Sequence, residues 1–223
     1  MIHTVDSDNK LLYQHELEEH FRLRHRIYVD ERKWIALKQA DGREIDQFDT
    51  DEAIYLMALD RGHVIGGARL VPTLQPHLLA NVFPFLANVE GIPRGPGIYE
   101  WTRIFVVPEH RGPNSSVLHA MLAGMMEYCL GRSITAITAV METWWLPRFH
   151  NLDWDVKLLG EPADIDGMSC VGAMISVTEA AWRRTIAVGR LEAPVLHARC
   201  RHDDSIAKGV LPHERSSSSK VQD

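Results

Sequence analysis

A mixed α/β fold is the class this sequence predicts, on three observations. Two strand-like runs, Ala53 to Asp60 and His63 to Val71, flank the turn-forming pair Arg61-Gly62, which is the pattern of a hairpin. A longer aromatic and β-branched run, Gly97 to Val107, leads through a Pro- and Gly-containing turn into a helix with an apolar stripe at Ser115 to Gly131. The later elements do not alternate as a regular βαβ repeat, and the absence of a Gly-x-Gly-x-x-Gly fingerprint argues against a dinucleotide-binding fold.

Each element has its own signal. The first helix is expected from Lys10 to Asp30, because Leu17, Phe21, Arg24 and Tyr28 recur at helical spacing and share a face. Arg24 therefore interrupts an apolar stripe. Glu31 to Gln47 lacks sustained periodicity and contains Asp41-Gly42, so it reads as a loop, ordered by itself or by a ligand. In the helix at Ser115 to Gly131 the buried stripe is Leu118, Met121, Leu122, Met125 and Cys129, with Asn114 or Ser115 as its cap. A strand at Ser133 to Val140, a short helix at Glu142 to Phe149 broken near Pro147, a strand at Met168 to Val177 and a helix at Thr178 to Val188 complete the reading.

Composition narrows the function. With 223 residues and no linker-like stretch in the middle, residues 1–211 are expected to form one domain, and the Ser-rich run 212–223 a disordered tail. A net charge of −6 offers no global attraction to nucleic acid or to an anionic membrane. Cys129, Cys170 and Cys200 are odd in number and lack ligand spacing, which fits reduced thiols in a cytoplasmic protein. No apolar segment suits a signal or a membrane span, and the scattered histidines give no metal motif.

The residues that carry chemistry begin with Tyr99-Glu100-Trp101-Thr102-Arg103-Ile104-Phe105-Val106-Val107, where a carboxylate and a guanidinium sit inside a buried-strand pattern. Buried charges are costly unless paired or used. The following Val107-Pro108-Glu109-His110-Arg111-Gly112 turn, opening a helix, suggests an anion site. Upstream lie Phe21-Arg22-Leu23-Arg24-His25-Arg26-Ile27-Tyr28 with Trp34, Glu44-Ile45-Asp46-Gln47-Phe48-Asp49, and Arg69 in Gly66-Gly67-Ala68-Arg69-Leu70. The ordered set Arg24, Tyr28, Trp34, Asp46, Asp49, Arg69, Glu100 and Arg103 resembles the acyl-homoserine-lactone synthases, the autoinducer synthases of bacterial quorum sensing, over about Phe21 to Leu159. Tyr28 replaces the usual Phe and Thr102 the usual Ser; neither change removes a charge.

The resemblance implies a three-layer α-β-α GNAT-like acyltransferase fold, with a mixed central sheet splayed into a cleft for a thioester's pantetheine arm. It implies that an acyl group passes from a thioester to the amine of S-adenosylmethionine, whose carboxylate then closes the lactone and expels 5′-methylthioadenosine. Both molecules are substrates, so no cofactor is expected, and a separate receptor-regulator would read the product. An α-amino group titrates near 7.7–8.0, so a base is needed, and Glu100, raised by burial and acting through water, is the candidate. Arg24, Tyr28, Trp34, Asp46, Asp49, Arg69, Thr102 and Phe105 would contact substrate, with Trp34 stacking on adenine or facing the sulfonium.

Other readings compete with these. Glu100 and Arg103 lie three positions apart, which puts them on opposite faces of an ideal strand. A bulge or splay near Thr102 would reunite them; otherwise Arg103 pairs with Asp46 or Asp49 from behind the cleft. The arginines and aspartates could also form only a structural ion-pair network. Trp144 and Trp145 read as core on composition, although Trp144 would suit an acyl pocket. Thr135 and Thr138 read as ordinary strand residues placed where synthases line that pocket. The donor is either acyl-CoA or acyl-carrier-protein. Three segments look most like the subgroup using branched-chain or aryl-CoA, and Arg111 offers a guanidinium for its pyrophosphate, although Pro113-Asn114-Ser115 lacks the loop's second glycine. A generic GNAT enzyme acting on another amine, or a binding module without catalysis, are the rivals.

Overall fold

The computed structural model describes residues 1–112 and 115–197. The tail at 212–223, Cys200 and the proposed cap Asn114 lie outside the described residues. In chain order the strands are β1 (Ile2–Val5), β2 (Ile54–Asp60), β3 (His63–Pro72), β4 (Ile98–Val106), β5 (Ala136–Glu142), β6 (Val156–Leu158), β7 (Ala163–Ile165), β8 (Met168–Ser176) and β9 (Leu196–His197). The helices are α1 (Gln14–Arg24), the short α2 (Leu78–Asn81), α3 (Val117–Gly131), α4 (Leu146–Asn151) and α5 (Glu179–Gly189). All strands join one mixed sheet, ordered β6-β8-β5-β4-β3-β2-β1-β9, with β7 on β8.

The first helix runs close to its expected length, as a 3-10 turn (Lys10–Tyr13), α1, and a π-helical turn (His25–Glu31). Its buried side differs from the expected stripe. Glu16, His20 and Arg24 are the buried positions of α1, whereas Leu17 and Phe21 are only partly covered. The 31–47 segment is a loop with one 3-10 turn, Ile35–Leu37. Pro147 does not break the short helix but falls in the first turn of α4, where its missing N–H costs nothing. Ser115 serves the start of α3: its hydroxyl accepts the Val117 N–H at 3.3 Å and donates to the His110 carbonyl at 2.5 Å.

Apolar side chains divide between the two faces of the sheet. One face packs Trp101, Ile137 and Val171 against Met121, Leu122 and Met125 of α3, and the other packs Tyr55, Met57 and Phe105 against Tyr13, Ile27 and Tyr28. The result is three layers, helix, sheet and helix. β4 is central to the site for two reasons. Its parallel pairing with β5 covers only Ile98↔Ala136, Tyr99↔Ile137 and Glu100↔Thr138, although β4 continues to Val106 and β5 to Glu142, so the strands part after Glu100. Against β3, its register shifts between Gly67↔Phe105 and Arg69↔Thr102, which inserts one extra residue into β4. Arg103, at φ 55°, is the left-handed residue of that bulge.

Candidate active site

The bulge decides which way the charged residues face. Glu100 and Thr102 alternate onto the α1 face, and the extra residue brings Arg103 onto it as well, with Phe105 following. The Thr102 hydroxyl accepts from Arg69 Nε at 3.0 Å, and Arg69 and Arg103 both reach Asp46, at 2.6 Å and 2.9 Å. The bulge expected near Thr102 is present, and it unites the β4 residues that simple alternation would separate.

Three arginines and three carboxylates form one buried network. Arg24 donates Nε to Glu44 at 2.6 Å and binds Asp49 bidentately at 2.7 and 2.9 Å. Arg69 also meets Asp49 at 2.8 Å, and Arg103 meets Glu44 at 3.1 Å. The formal charges cancel, which is what allows Arg24 and Arg69 to sit at 0% exposure. Burial lowers the Arg24 pKa, but Asp49 and Glu44 outweigh it and the net shift is upward. Burial likewise raises Asp49 and Glu44, and the arginines overcome it to hold both below the usual carboxylate range. Asp49 anchors the loop further by accepting the Asp46 N–H at 2.8 Å and the Tyr55 hydroxyl at 3.0 Å.

Sequence reasoning missed two members of this region. Glu44 was visible in its acidic run, yet only the structure reveals that it joins Arg24 to Arg103. His20 is fully buried beneath the network, and burial with nearby Arg24 pushes it down to about 3, so it is a neutral ring. Gly67 is required there, because a Cβ would stand 2.5 Å from the His20 ring. The sequence signal for His20 was its i, i+4 relation to Glu16 and Arg24.

The network borders a cavity of 420 Å³ through Asp46 and Arg103, and a second cavity lies beside the first. The lining of the first combines polar side chains, among them Asp46, Thr102, Arg103 and Glu142, with apolar ones that include Trp34, Met141, Trp145, Phe149 and Met168. Tyr28 stacks on Trp34 at 5.1 Å and donates its hydroxyl to the Ile104 carbonyl at 2.7 Å. Glu100 lies behind this wall with 0% exposure, while its neighbours Leu78 and Thr102 line the cavity. Both of its oxygens accept N–H groups, from Leu78 and Leu79, each at 2.6 Å. Burial nevertheless dominates and pushes the carboxyl up to about 7, against the opposing pull of those two N–H groups, Arg69 and Arg103.

The second cavity, of 620 Å³, lies along the splayed end of β4 and includes Phe105, His110, Arg111, Gly112, Trp144 and Arg148. Arg111 donates Nε to the Val106 carbonyl at 2.6 Å and pairs with the Glu31 carboxylate through both terminal nitrogens. Trp144 is not core. It is 46% exposed and ends a stacked ladder with Trp145, Phe149 and Trp154, whose successive centroids lie 4.9, 5.6 and 5.0 Å apart. Thr135 departs from its expected place: it is exposed just before β5, donates to the Gly97 carbonyl at 3.3 Å, and contributes to neither cavity. Thr138 is fully buried opposite Glu100, and its hydroxyl lacks a hydrogen-bond partner.

A mixed sheet whose central strands part next to a buried carboxylate, between helical layers, is a fold shared with GNAT-like acyltransferases. An acyl-CoA N-acyltransferase from Pseudomonas aeruginosa is similar in fold at a TM-score of 0.57 and 16% identity, covering 78% of this chain and 97% of that one. The autoinducer synthase family model matches residues 8–185. The isovaleryl-homoserine lactone synthase of Bradyrhizobium diazoefficiens is 44% identical over 177 residues, 79% of this chain and 80% of that one. The solved structure of BjaI, a CoA-dependent acyl-homoserine lactone synthase with SAM and isopentyl-CoA, superimposes at a TM-score of 0.87 with 38% identity, covering 93% and 97% of the two chains. The chain belongs to the autoinducer synthase family and is an acyl-homoserine-lactone synthase, an acyltransferase.

Proposed function

We propose that this synthase transfers a short branched acyl group from a CoA thioester to the amine of S-adenosylmethionine. The observation that carries the reading is the parting of β4 from β5 directly after Glu100, whose buried carboxyl, raised to about 7, lies behind the cleft wall that Leu78 and Thr102 form. A group titrating near neutrality is basic enough to accept the ammonium proton and is still about half ionised near pH 7. Its oxygens are held by Leu78 and Leu79 behind the wall, so the proton passes through a water next to Thr102.

The free amine then attacks the thioester carbonyl carbon, and the C–S bond breaks to release the thiol. Past Glu100 the edge of β4 facing β5 has no strand pairing among the described residues, so its N–H groups are the candidate donors to the developing oxyanion. In the second step the S-adenosylmethionine carboxylate displaces 5′-methylthioadenosine. Arg103, at 7% exposure the most accessible arginine of the network, is the group to hold that carboxylate, and Asp46 the one to face the cation. Arg24, Arg69, Asp49 and Glu44 hold Asp46 and Arg103 in place. Trp34 supplies an aromatic face worth about 0.5–2 kcal/mol toward a cation.

The donor assignment draws support from the second cavity and from what BjaI, at 38% identity, holds. Arg111 and the turn before α3 could receive a pyrophosphate once Glu31 is displaced. The aromatic side chains Trp145 and Phe149 in the lining of the 420 Å³ cavity favour a compact acyl group over a long chain. The test is to incubate the protein with S-adenosylmethionine and a panel of acyl-CoAs and identify products by mass spectrometry. The expected pair is isovaleryl-homoserine lactone with 5′-methylthioadenosine; an acylated amine without 5′-methylthioadenosine would contradict the acceptor.

A further inference from the structure

The two cavities share one wall, and an ion pair closes it. Tyr28, Arg32, Ile104 and Trp145 line both of them. Arg32, at the end of the π-helical turn, places Nη1 2.6 Å from Oε1 of Glu142, the last residue of β5. Glu142 is only 8% exposed, so its carboxylate depends on that partner. The Arg32 guanidinium carbon also lies 5.2 Å from the centre of the Trp34 ring. Trp34 stacks on Tyr28, and Tyr28 bonds to the Ile104 carbonyl. The contacts Glu142, Arg32, Trp34, Tyr28 and Ile104 therefore run from β5 back to β4 across the gap where these strands have stopped pairing.

We propose that Arg32 is a positioning residue that seals the acceptor-side cavity from the thioester-side cavity until S-adenosylmethionine binds. The inference rests on the functional reading above. A thioester seated in the 620 Å³ cavity and an amine beside Asp46 lie on opposite sides of the residues that the two cavities share. The trigger is competition for one aromatic face: a sulfonium or adenine settling on Trp34 takes the place of the Arg32 guanidinium, and the wall opens only when the acceptor is there to receive the acyl group. Before that, bulk water is kept from the thioester carbonyl, which protects an activated substrate from hydrolysis. If the pair is lost, water attacks that carbonyl carbon, the C–S bond breaks, and thiol and free acid leave without consuming S-adenosylmethionine.

The experiment uses isovaleryl-CoA and measures the free thiol released per 5′-methylthioadenosine formed, together with thiol release in the absence of S-adenosylmethionine. Wild type should give a ratio of one. Glu142→Gln, which keeps the side-chain size, and Arg32→Ala should raise the ratio to two or more and the acceptor-independent release about tenfold. Arg32→Lys, which keeps the charge but loses the planar stack, should fall between them and wild type. Thermal unfolding identifies any variant that does not fold, and Glu142→Gln is the least disruptive. Acceptor-independent release equal in wild type and folded Glu142→Gln would overturn the seal, as would a fall in kcat with the ratio still at one. A wild type that releases thiol yet forms no lactone would instead sink the functional reading, so the two failures are distinct.

Discussion

Replacing Glu100 by Gln should damage the protein in two separable ways. The first is chemical. Loss of the base should lower kcat by about 10²–10⁴, or about 2.7–5.4 kcal/mol in the barrier. The second comes from the hydrogen bonds. The Leu78 and Leu79 N–H groups each need an acceptor, and a carboxyl provides two oxygens where an amide provides one, so the NH₂ of Gln would face a donor. That mismatch costs about 1–3 kcal/mol, a Tm decrease of roughly 2–12 °C for a chain of this size. The pH dependence has a definite sign. Because the folded carboxyl is raised to about 7, Glu100 favours the folded state most at low pH and loses that contribution as pH climbs from about 4.5 through 7. The Tm gap between wild type and Glu100→Gln should therefore be widest near pH 5 and narrow by pH 8. Wild-type kcat/KM should rise with pH through a limb near 7. The assays are steady-state kinetics and scanning calorimetry across this range. Turnover of the variant within threefold of wild type would refute the base assignment, and a pH-independent Tm gap would refute the titration argument.

Five further substitutions test the same contacts. Arg24→Met leaves Glu44 and Asp49 short of a counter-charge in a fully buried site, at a cost of about 3–5 kcal/mol, read as a Tm decrease of roughly 6–20 °C; a change under 2 °C would contradict the network's structural weight. Trp34→Ala and Asp46→Ala should each weaken S-adenosylmethionine binding by calorimetric titration, and unchanged affinity in both would move the acceptor site elsewhere. Gly67→Ala drives a methyl into the His20 ring and should destabilise by about 1–3 kcal/mol in urea denaturation, whereas a neutral result would mean the α1 face yields easily. Arg111→Ala should raise KM for acyl-CoA more than for the acyl-carrier-protein thioester, and equal effects would remove the pyrophosphate contact.

Much of the fold could be read from local pattern. The hairpin at Arg61-Gly62, the strand with Glu100, the α3 stripe and the first helix all follow from residue type and spacing. What the sequence did not reveal depended on contacts between distant segments. Arg24 falls in the apolar stripe by periodicity but Glu16 and His20 carry no such signal, yet all three are buried: Glu44 and Asp49 come from a distant loop to meet Arg24, and the Gly67 backbone lies against His20. The Arg103 bulge was only an option, since a non-glycine residue at positive φ carries no local signature and here is held by Glu44 and Asp46. Thr135 owes its place at the acyl pocket to the family resemblance alone, and the strand itself begins at Ala136, one residue beyond it. Asp46 and Arg103 belong to the ion-pair network and also line the 420 Å³ cavity, so a structural and a substrate-binding role for these residues do not conflict.

Acylation of S-adenosylmethionine from a CoA thioester is the reaction that we propose for this cleft. Its most direct test is kcat/KM for the same isovaleryl group presented on CoA and on acyl-carrier-protein, at low and at high salt. CoA should be preferred at least about tenfold, because a pyrophosphate and 3′-phosphate give Arg111 and the turn before α3 a compact anionic target that the carrier's single phosphodiester lacks. A strong preference for the carrier protein that collapses as salt is added would contradict it, since that pattern belongs to docking between charged protein surfaces.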